Sequence, residues 1–218
     1  MCFESEKERN LYYKIFGGYL FNELVPDYEM RVQNFFDLLK SPVAIGQDAP
    51  PLPKSPDPRS THVSFDNHLY LFDRQEKDRG EFADILVQDA ANKTFIAIEA
   101  KLHSNWSYEK DIRTNDKRHQ RLVELVPPIT VVPVLLVTKR RWDHVTKKES
   151  NEHSNYLRFV ADSECRFRVI LWEQIGTKIK DPNVKRFLES QLLRNNKEFV
   201  YRSTQDWFIQ VPPTLSNE

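Results

Sequence analysis

The chain has few of the residues that mark several common functional classes. Two cysteines, Cys2 and Cys165, are too few for a disulfide framework and lack the spacing of zinc ligands. Only five glycines are present, in no Walker or Rossmann pattern, and there is no GxSxG elbow of a serine hydrolase. No run of 18 apolar residues exists, and the opening MCFESEKERN is unlike a signal peptide. We therefore expect a cytoplasmic protein without a membrane partner.

The formal net charge is zero, but the charge is unevenly distributed. Residues 1–100 carry 11 Lys and Arg against 17 Asp and Glu, whereas residues 101–148 carry 11 against 5. A polyanion held by the basic region could present a phosphate to a cation held by the acidic one. A solvated basic face is the alternative interpretation.

The most informative segment is GEFADILVQDAANKTFIAIEAK, residues 80–101. Apolar-rich runs at 84–88 and 95–101 flank a stretch with turn composition, which predicts a β-hairpin. If the chain reverses in the middle of that stretch, Asp84 faces Glu99, and facing residues lie roughly 5 Å apart at Cβ. Glu99 and Lys101 share one side because strand side chains alternate. The other side is apolar and consists of Ile85, Val87, Ile96, Ile98 and Ala100.

Two carboxylates and an ammonium group are thus predicted to converge at the open end of the hairpin. Mg²⁺ is commonly held by one or two carboxylates, with waters and a substrate phosphate completing the sphere. Asp84, Glu99 and the carbonyl of Ala100 would supply such ligands. Lys101 would orient or deprotonate an attacking water, or stabilise the transition state of phosphodiester hydrolysis. An ordinary lysine at a strand end, paired with Glu99, is the alternative.

Apolar periodicity and breaker residues predict the other elements. The segment 41–60 contains six of the 13 prolines and is expected to be a connector, and 139–152 is expected to be a polar loop. Pro133 counts against a central strand around it, since proline cannot donate to a ladder. The order of elements predicts an α/β fold with a mixed sheet. The expected helices are 6–25, 27–40, Asn105–Val126, 154–162 and Asn183–Leu193, and the expected strands are 62–73, with a break near Asp66-Asn67, Ile129–Thr138 and Arg166–Trp172.

Asp84, a gap of 14 residues and Glu99-Ala100-Lys101 at the end of an apolar strand resemble the PD-(D/E)xK nuclease superfamily. The predicted order of elements is similar to the αβββαβ core of these restriction-endonuclease-like proteins over roughly residues 8–175. The resemblance implies Mg²⁺-dependent DNA cleavage, with Mn²⁺ able to substitute. It implies that Asp84 and Glu99 are metal ligands and that Lys101 is the catalytic lysine. Ala83 stands where the superfamily name has proline, at a position that varies widely.

The text LHSNWSYEKDIRTNDKRHQRL is similar to the helix that follows the motif in restriction-like and defence-associated members. Polar side chains of that helix project toward the site, and Gln120 is the first candidate, with Asn115 and His119 after it. Many members add a carboxylate from the first helix. Glu23 is the choice here and Glu8 the alternative, although Glu23 fits a solvated helix end equally well.

Other candidates each have a plainer interpretation. Glu81 is expected to be a loop residue, with support of the metal site as the alternative. Trp106 and Tyr108 would pack the helix on the sheet or stack on a base. The cluster 139–141 and Trp142 would contact phosphate or lie in a solvated loop.

We expect a single PD-(D/E)xK nuclease-like domain over residues 1–218. It would comprise a helical N-terminal part with a proline-rich connector (1–60), a catalytic core (61–175) and a C-terminal helical extension (176–218). The predicted function is that of a DNA endonuclease of restriction or defence type that acts on double-stranded DNA. A homodimer is compatible with this prediction, because cutting both strands often requires two active sites. The alternative is a catalytically silent protein of the same fold that binds nucleic acid or mediates assembly.

Overall fold

The computed structural model describes residues 9–75, 77–78, 80–102 and 105–196. Two parts of the sequence predictions lie outside the described residues: Glu8 and the segment 197–218 of the predicted C-terminal extension.

A mixed, open sheet of six strands forms the centre of the protein, in the order β1-β6-β5-β4-β3-β2. The strands β2, β3 and β4 pair antiparallel, β4, β5 and β6 pair parallel, and β1 pairs antiparallel with β6. The central strands are buried on both faces, which explains their nearly continuous apolar sequences. The bounds are β1 Ala44–Ile45, β2 Thr61–His68, β3 Glu81–Asp89, β4 Thr94–Lys101, β5 Thr130–Val137 and β6 Arg168–Leu171.

Helices cover both faces of this sheet. The π-helix Tyr13–Leu20 and helices α1, α5 and α6 share one buried cluster with residues such as Ile85 and Ile98. Helices α2, α3 and α4 pack on the opposite face. The bounds are α1 Tyr28–Lys40, α2 Thr114–Leu125, α3 Lys139–Thr146, α4 His153–Ala161, α5 Trp172–Lys178 and α6 Pro182–Asn196, and a second π-helix, Tyr108–Arg113, leads into α2.

The predicted α/β class with a mixed sheet flanked by helices is confirmed. The predicted break near Asp66-Asn67 is also present, because Asp66 has a positive φ of 52° and the β2–β3 register shifts between Asn67 and His68. The strand that was predicted to reach residue 73 ends at His68, and a short 3₁₀ turn, Leu69–Leu71, follows it.

The polar loop predicted over 139–152 is wrong, because α3 occupies Lys139–Thr146. The hydroxyl of Thr138 accepts a hydrogen bond from the backbone N–H of Arg141, which caps the helix. Trp142 and Val145, three residues apart, bury the inner side of an otherwise polar helix. Because this segment contains few apolar residues, its helical periodicity is hard to detect in the sequence.

The strand predicted over Ile129–Thr138 is present as β5, Thr130–Val137. Pro133 lies inside it, opposite Ala97 of β4, although proline is unfavourable in a central strand. Pairing of β5 with β6 begins only at Val134, so β5 has one open edge at Pro133, where a missing N–H is tolerated. The last strand ends at Leu171, and the buried Trp172 starts α5 instead.

Within the described part of the chain, no helix combines the length and the apolar character needed to cross a membrane.

Trp172 provides a test of how the N-terminal helix is attached. Its buried ring lies 6.1 Å from the ring of Tyr12 and 6.1 Å from that of Phe16. We expect Trp172→Ala to lower the free energy of unfolding by about 3–5 kcal/mol, the usual cost of deleting a buried aromatic side chain. Urea denaturation measures this change. Leu24→Ala, at a side chain that is 93% exposed, is the control and should change stability by less than about 0.5 kcal/mol. Equal effects of both changes would contradict the packing described.

Candidate active site

The register of the β3–β4 hairpin is the one predicted from sequence. Ile85 pairs with Ile98 and Val87 with Ile96, so the next position of the ladder sets Asp84 opposite Glu99. The five apolar residues expected on the other side all belong to one buried cluster. Asp84, Glu99 and Lys101 therefore share the face of the sheet that α2 covers, at the open end of the hairpin.

Asp84 is anchored to the neighbouring strand. Its Oδ2 accepts a hydrogen bond of 2.7 Å from the backbone N–H of Ala100. Its Oδ1 has no hydrogen-bond partner among the described residues. Burial, and next the charge of Glu99, raise the pKa of Asp84 well above its ordinary value. The site thus contains a desolvated carboxyl group whose negative charge would be stabilised by a cation.

Glu99 and Lys101 form a buried ion pair, with Nζ 2.6 Å from Oε1 and the two side chains 17% and 12% exposed for the lysine and the glutamate. Asn115 donates a hydrogen bond of 2.9 Å to the other oxygen, Oε2. Burial raises the pKa of Glu99 despite the opposing charge of Lys101. Burial alone would lower the pKa of Lys101, but the charges of Glu99 and Asp111 outweigh it and raise the pKa.

Asp111 is a member of the site that sequence reasoning missed. Its Oδ1 lies 3.3 Å from Lys101 Nζ, and its side chain is only 5% exposed. Its Oδ2 accepts a hydrogen bond of 2.6 Å from the backbone N–H of Ser107, just before the π-helix. The spacing of four residues between Asp111 and Asn115, which puts both on one helix face, is the signal that could have found it.

The structure brings Asn115, the second choice from sequence, to Glu99 and directs Gln120 elsewhere. Gln120 is exposed, and its amide donates a hydrogen bond of 3.0 Å to Asp116 Oδ2. Asp116 in turn lies 3.5 Å from Arg166. Five residues separate Asn115 from Gln120, about 140° around an α-helix, so the two side chains point in different directions.

The structure does not bring Glu23 to the hairpin's open end. It lies exposed in the turn between the first helix and α1, where its charge acts on Tyr28. The hydroxyl of Tyr28 donates to the carbonyl of Thr61, which pairs with Asp89 at the opposite end of the hairpin.

The carbonyl of Ala100, predicted as a third metal ligand, accepts a hydrogen bond of 2.9 Å from the hydroxyl of Tyr12. A carbonyl oxygen has two lone pairs, so this bond uses only part of its acceptor capacity.

Three of the remaining candidates belong to the core. His119 is 1% exposed, its Nε2 donates to the carbonyl of Phe82 at 2.9 Å, and burial lowers its pKa to about 4. The rings of Trp106 and Trp142 are both buried and stack with centroids 6.3 Å apart. These positions favour the packing interpretation over contact with a substrate.

The donor chemistry of the site fits a hard divalent cation. Two desolvated carboxyl groups face each other, and Asp84 Oδ1 has no hydrogen-bond partner in the described part of the protein. No group of three or more His, Cys, Asp or Glu side chains among the described residues is arranged to hold a metal ion. A cation here would depend on Asp84 and Glu99, with water and substrate phosphate as further ligands.

Comparison of the chain with protein-family models, with curated proteins and with solved structures found no match. The functional conclusion therefore depends on the geometry of the site.

Asp84 provides a first test of this geometry. Replacing it by Asn removes a desolvated negative charge but keeps an oxygen that can accept from Ala100. Without divalent cations at neutral pH, we expect Asp84→Asn to raise the melting temperature by about 2–4 °C, the shift that about 1 kcal/mol produces in a domain of this size. We also expect Mn²⁺ to raise the melting temperature of the natural chain and not that of the variant. A lower melting temperature for the variant would contradict the conclusion that the desolvated carboxyl group of Asp84 lowers the stability of the fold.

Glu81, which starts β3, gives a second test through pH. Burial, and next the charges of Asp66 and Glu99, raise its pKa from 4.5 to about 7. The folded state then binds a proton that the unfolded chain has released, so stability falls as pH rises from 4.5 through about 7. We expect Glu81→Gln to match the natural chain near pH 4.5 and to melt at a higher temperature above about pH 8. Melting curves in a chelator check this. The control Glu23→Gln, at an exposed residue, keeps Glu81 and should therefore still lose stability as pH rises from 4.5 through about 7. A pH profile of Glu81→Gln identical to that of the natural chain would refute the assignment.

Proposed function

We propose that this protein is a divalent-metal-dependent nuclease that hydrolyses phosphodiester bonds, and that DNA is its substrate. The proposal depends on one observation: Asp84, Glu99 and Lys101 converge, partly buried, at the end of one rigid hairpin. Two carboxylates and a lysine in this arrangement are what metal-assisted phosphodiester hydrolysis needs.

The topology supports a restriction-endonuclease-like core. The N-terminal helices are followed by the antiparallel strands β2, β3 and β4, then by the helical segment 108–125 and the parallel strand β5. Apart from the two-residue strand β1, which comes before β2, this order resembles the αβββαβ core of the PD-(D/E)xK superfamily. A role in restriction or defence is part of the same proposal.

In the proposed mechanism, Asp84 and Glu99 would hold Mg²⁺ or Mn²⁺. The bound ion would neutralise charge on the scissile phosphate and lower the pKa of a coordinated water. Asn115 orients Glu99 through its hydrogen bond to Oε2. The backbone N–H of Ala100 holds Asp84 in place.

Lys101 would act as a cation in this mechanism. Carboxylates at 2.6 Å and 3.3 Å from Nζ stabilise its protonated form, which is a poor general base. An ammonium group beside the phosphate would stabilise the charge that develops in the transition state and would orient the attacking water.

A polar cleft next to β5 supports a polyanionic substrate. The cleft is lined by Lys139, Arg140, His144 and Lys147, with Asp143 and Glu173 between them. Helix α3, which carries most of these side chains, begins where β5 ends, and β5 is the parallel neighbour of β4. The cleft therefore lies at the same edge of the sheet as Lys101, where a nucleic-acid backbone could contact both.

Cleavage of plasmid DNA in the presence of Mg²⁺ tests the proposal. We expect Asp84→Asn and Lys101→Met each to reduce the rate at least about 100-fold, because each removes a group that acts on the transition state. A chelator should abolish cleavage by the natural chain. Lys185→Ala, at an exposed lysine of α6, is the matched control and should cleave normally.

Normal cleavage by either site variant would rule out the assignment.

One observation favours a second candidate, a catalytically silent nucleic-acid-binding or assembly protein: both oxygens of Glu99 already have partners, Lys101 and Asn115. Salt-sensitive DNA binding without cleavage, and without any effect of Mg²⁺ or Mn²⁺ on the melting temperature, would support this candidate instead.

A further inference from the structure

Lys101 contacts two buried carboxylates that belong to different elements. Its Nζ lies 2.6 Å from Glu99 Oε1 on its own strand and 3.3 Å from Asp111 Oδ1 on the π-helix. The ammonium group therefore has a second anionic partner within reach, one that comes from outside the hairpin.

The contact with Glu99 obstructs metal binding. Oε1 is paired with Lys101, and Oε2 accepts the hydrogen bond from Asn115. A divalent cation on Glu99 would lie close to the ammonium group of Lys101, and the two positive charges would repel each other strongly in a partly desolvated site. Lys101 and the cation therefore compete for one carboxylate.

We propose that Asp111 is a positioning residue, which retains Lys101 when Glu99 binds a divalent cation. This inference rests on the proposed function, because it concerns the same carboxylate pair. Lys101 would give up its contact with Glu99, keep its contact with Asp111 and so remain beside the reacting phosphate. Without Asp111, the displaced ammonium group would lose the other carboxylate that it contacts, and the competition would favour Lys101 over the cation.

Asp111 is well placed for this role. Its Oδ2 is fixed by the backbone N–H of Ser107, so its Oδ1 stays directed at Lys101. The hydroxyl of Ser107 accepts a hydrogen bond from the N–H of Lys110, which secures the start of the same helix. The side chain of Asp111 is therefore held by local backbone contacts and would not need to move with Lys101.

The binding of Mn²⁺ alone to the full chain, measured by calorimetry, tests the inference without relying on activity. We expect Asp111→Asn to weaken Mn²⁺ binding about tenfold, a coupling of ordinary size for contacting residues. Lys101→Met should tighten binding, because the competing cation is gone. In the Lys101→Met background, Asp111→Asn should change the affinity by less than about twofold, since there is no ammonium group left to hold.

Glu109→Gln is the control for the lost charge, because it removes an exposed carboxylate from the same π-helix; it should bind Mn²⁺ normally. An equal loss from Asp111→Asn in both backgrounds would overturn the inference, since Asp111 would then act through its field or through the fold. Mn²⁺ binding that Asp111→Asn leaves unchanged would overturn it as well. Absence of Mn²⁺ binding to the natural chain would instead overturn the proposed function, and the inference with it.

Discussion

The partly buried ion pair between Lys101 and Glu99 is the interaction on which the arrangement of the candidate site depends. Carboxylates in a desolvated position are stable only if their charge is compensated, and the charge of Glu99 acts on Asp84 while that of Asp111 acts on Glu99. Lys101 compensates two of them directly, at 2.6 Å and 3.3 Å, and so joins the end of β4 to the start of the π-helix. Asp84 depends on a backbone N–H instead, which belongs to the residue between Glu99 and Lys101. Each of these charged groups therefore either belongs to the last three residues of β4 or contacts one of them.

The part of the site on the hairpin could be predicted from sequence because it is a matter of local geometry. A strand alternates with period two, and a turn fixes the register, so Asp84, Glu99 and Lys101 follow from residue numbers alone. The part on the helix could not be predicted in this way. Which of Asn115 and Gln120 faces the hairpin depends on the rotation of the helix against the sheet, and that is set by long-range packing of buried residues such as His119 and Leu122.

The missed helix α3 and the unfavourable position of Pro133 in the correctly predicted strand β5 have the same origin. Helix α3 is polar by composition, and only the burial of Trp142 and Val145 against other elements reveals its inner face. Pro133 is unfavourable in a central strand by local rules, yet the late start of pairing with β6 provides an open edge at that position. In both cases a neighbour that is distant in sequence decides the conformation, and tertiary context overrides the local preference.

The register of the sheet has a mechanical consequence for the candidate site. One row of paired residues crosses all six strands, and it lies directly beside Asp84 and Glu99: Phe65, Ile85, Ile98, Val134, Arg168 and Ile45. At the other end of the sheet, the row through Thr94 crosses only four strands. The strands that carry Asp84 and Glu99 are thus each paired with a neighbouring strand on both sides. Their backbone amides near the site would exchange with solvent more slowly than the amides at the turn end of the hairpin. A backbone paired in this way would limit changes in the spacing of the Cα atoms that carry the charged groups, which is the kind of support that a preorganised site needs.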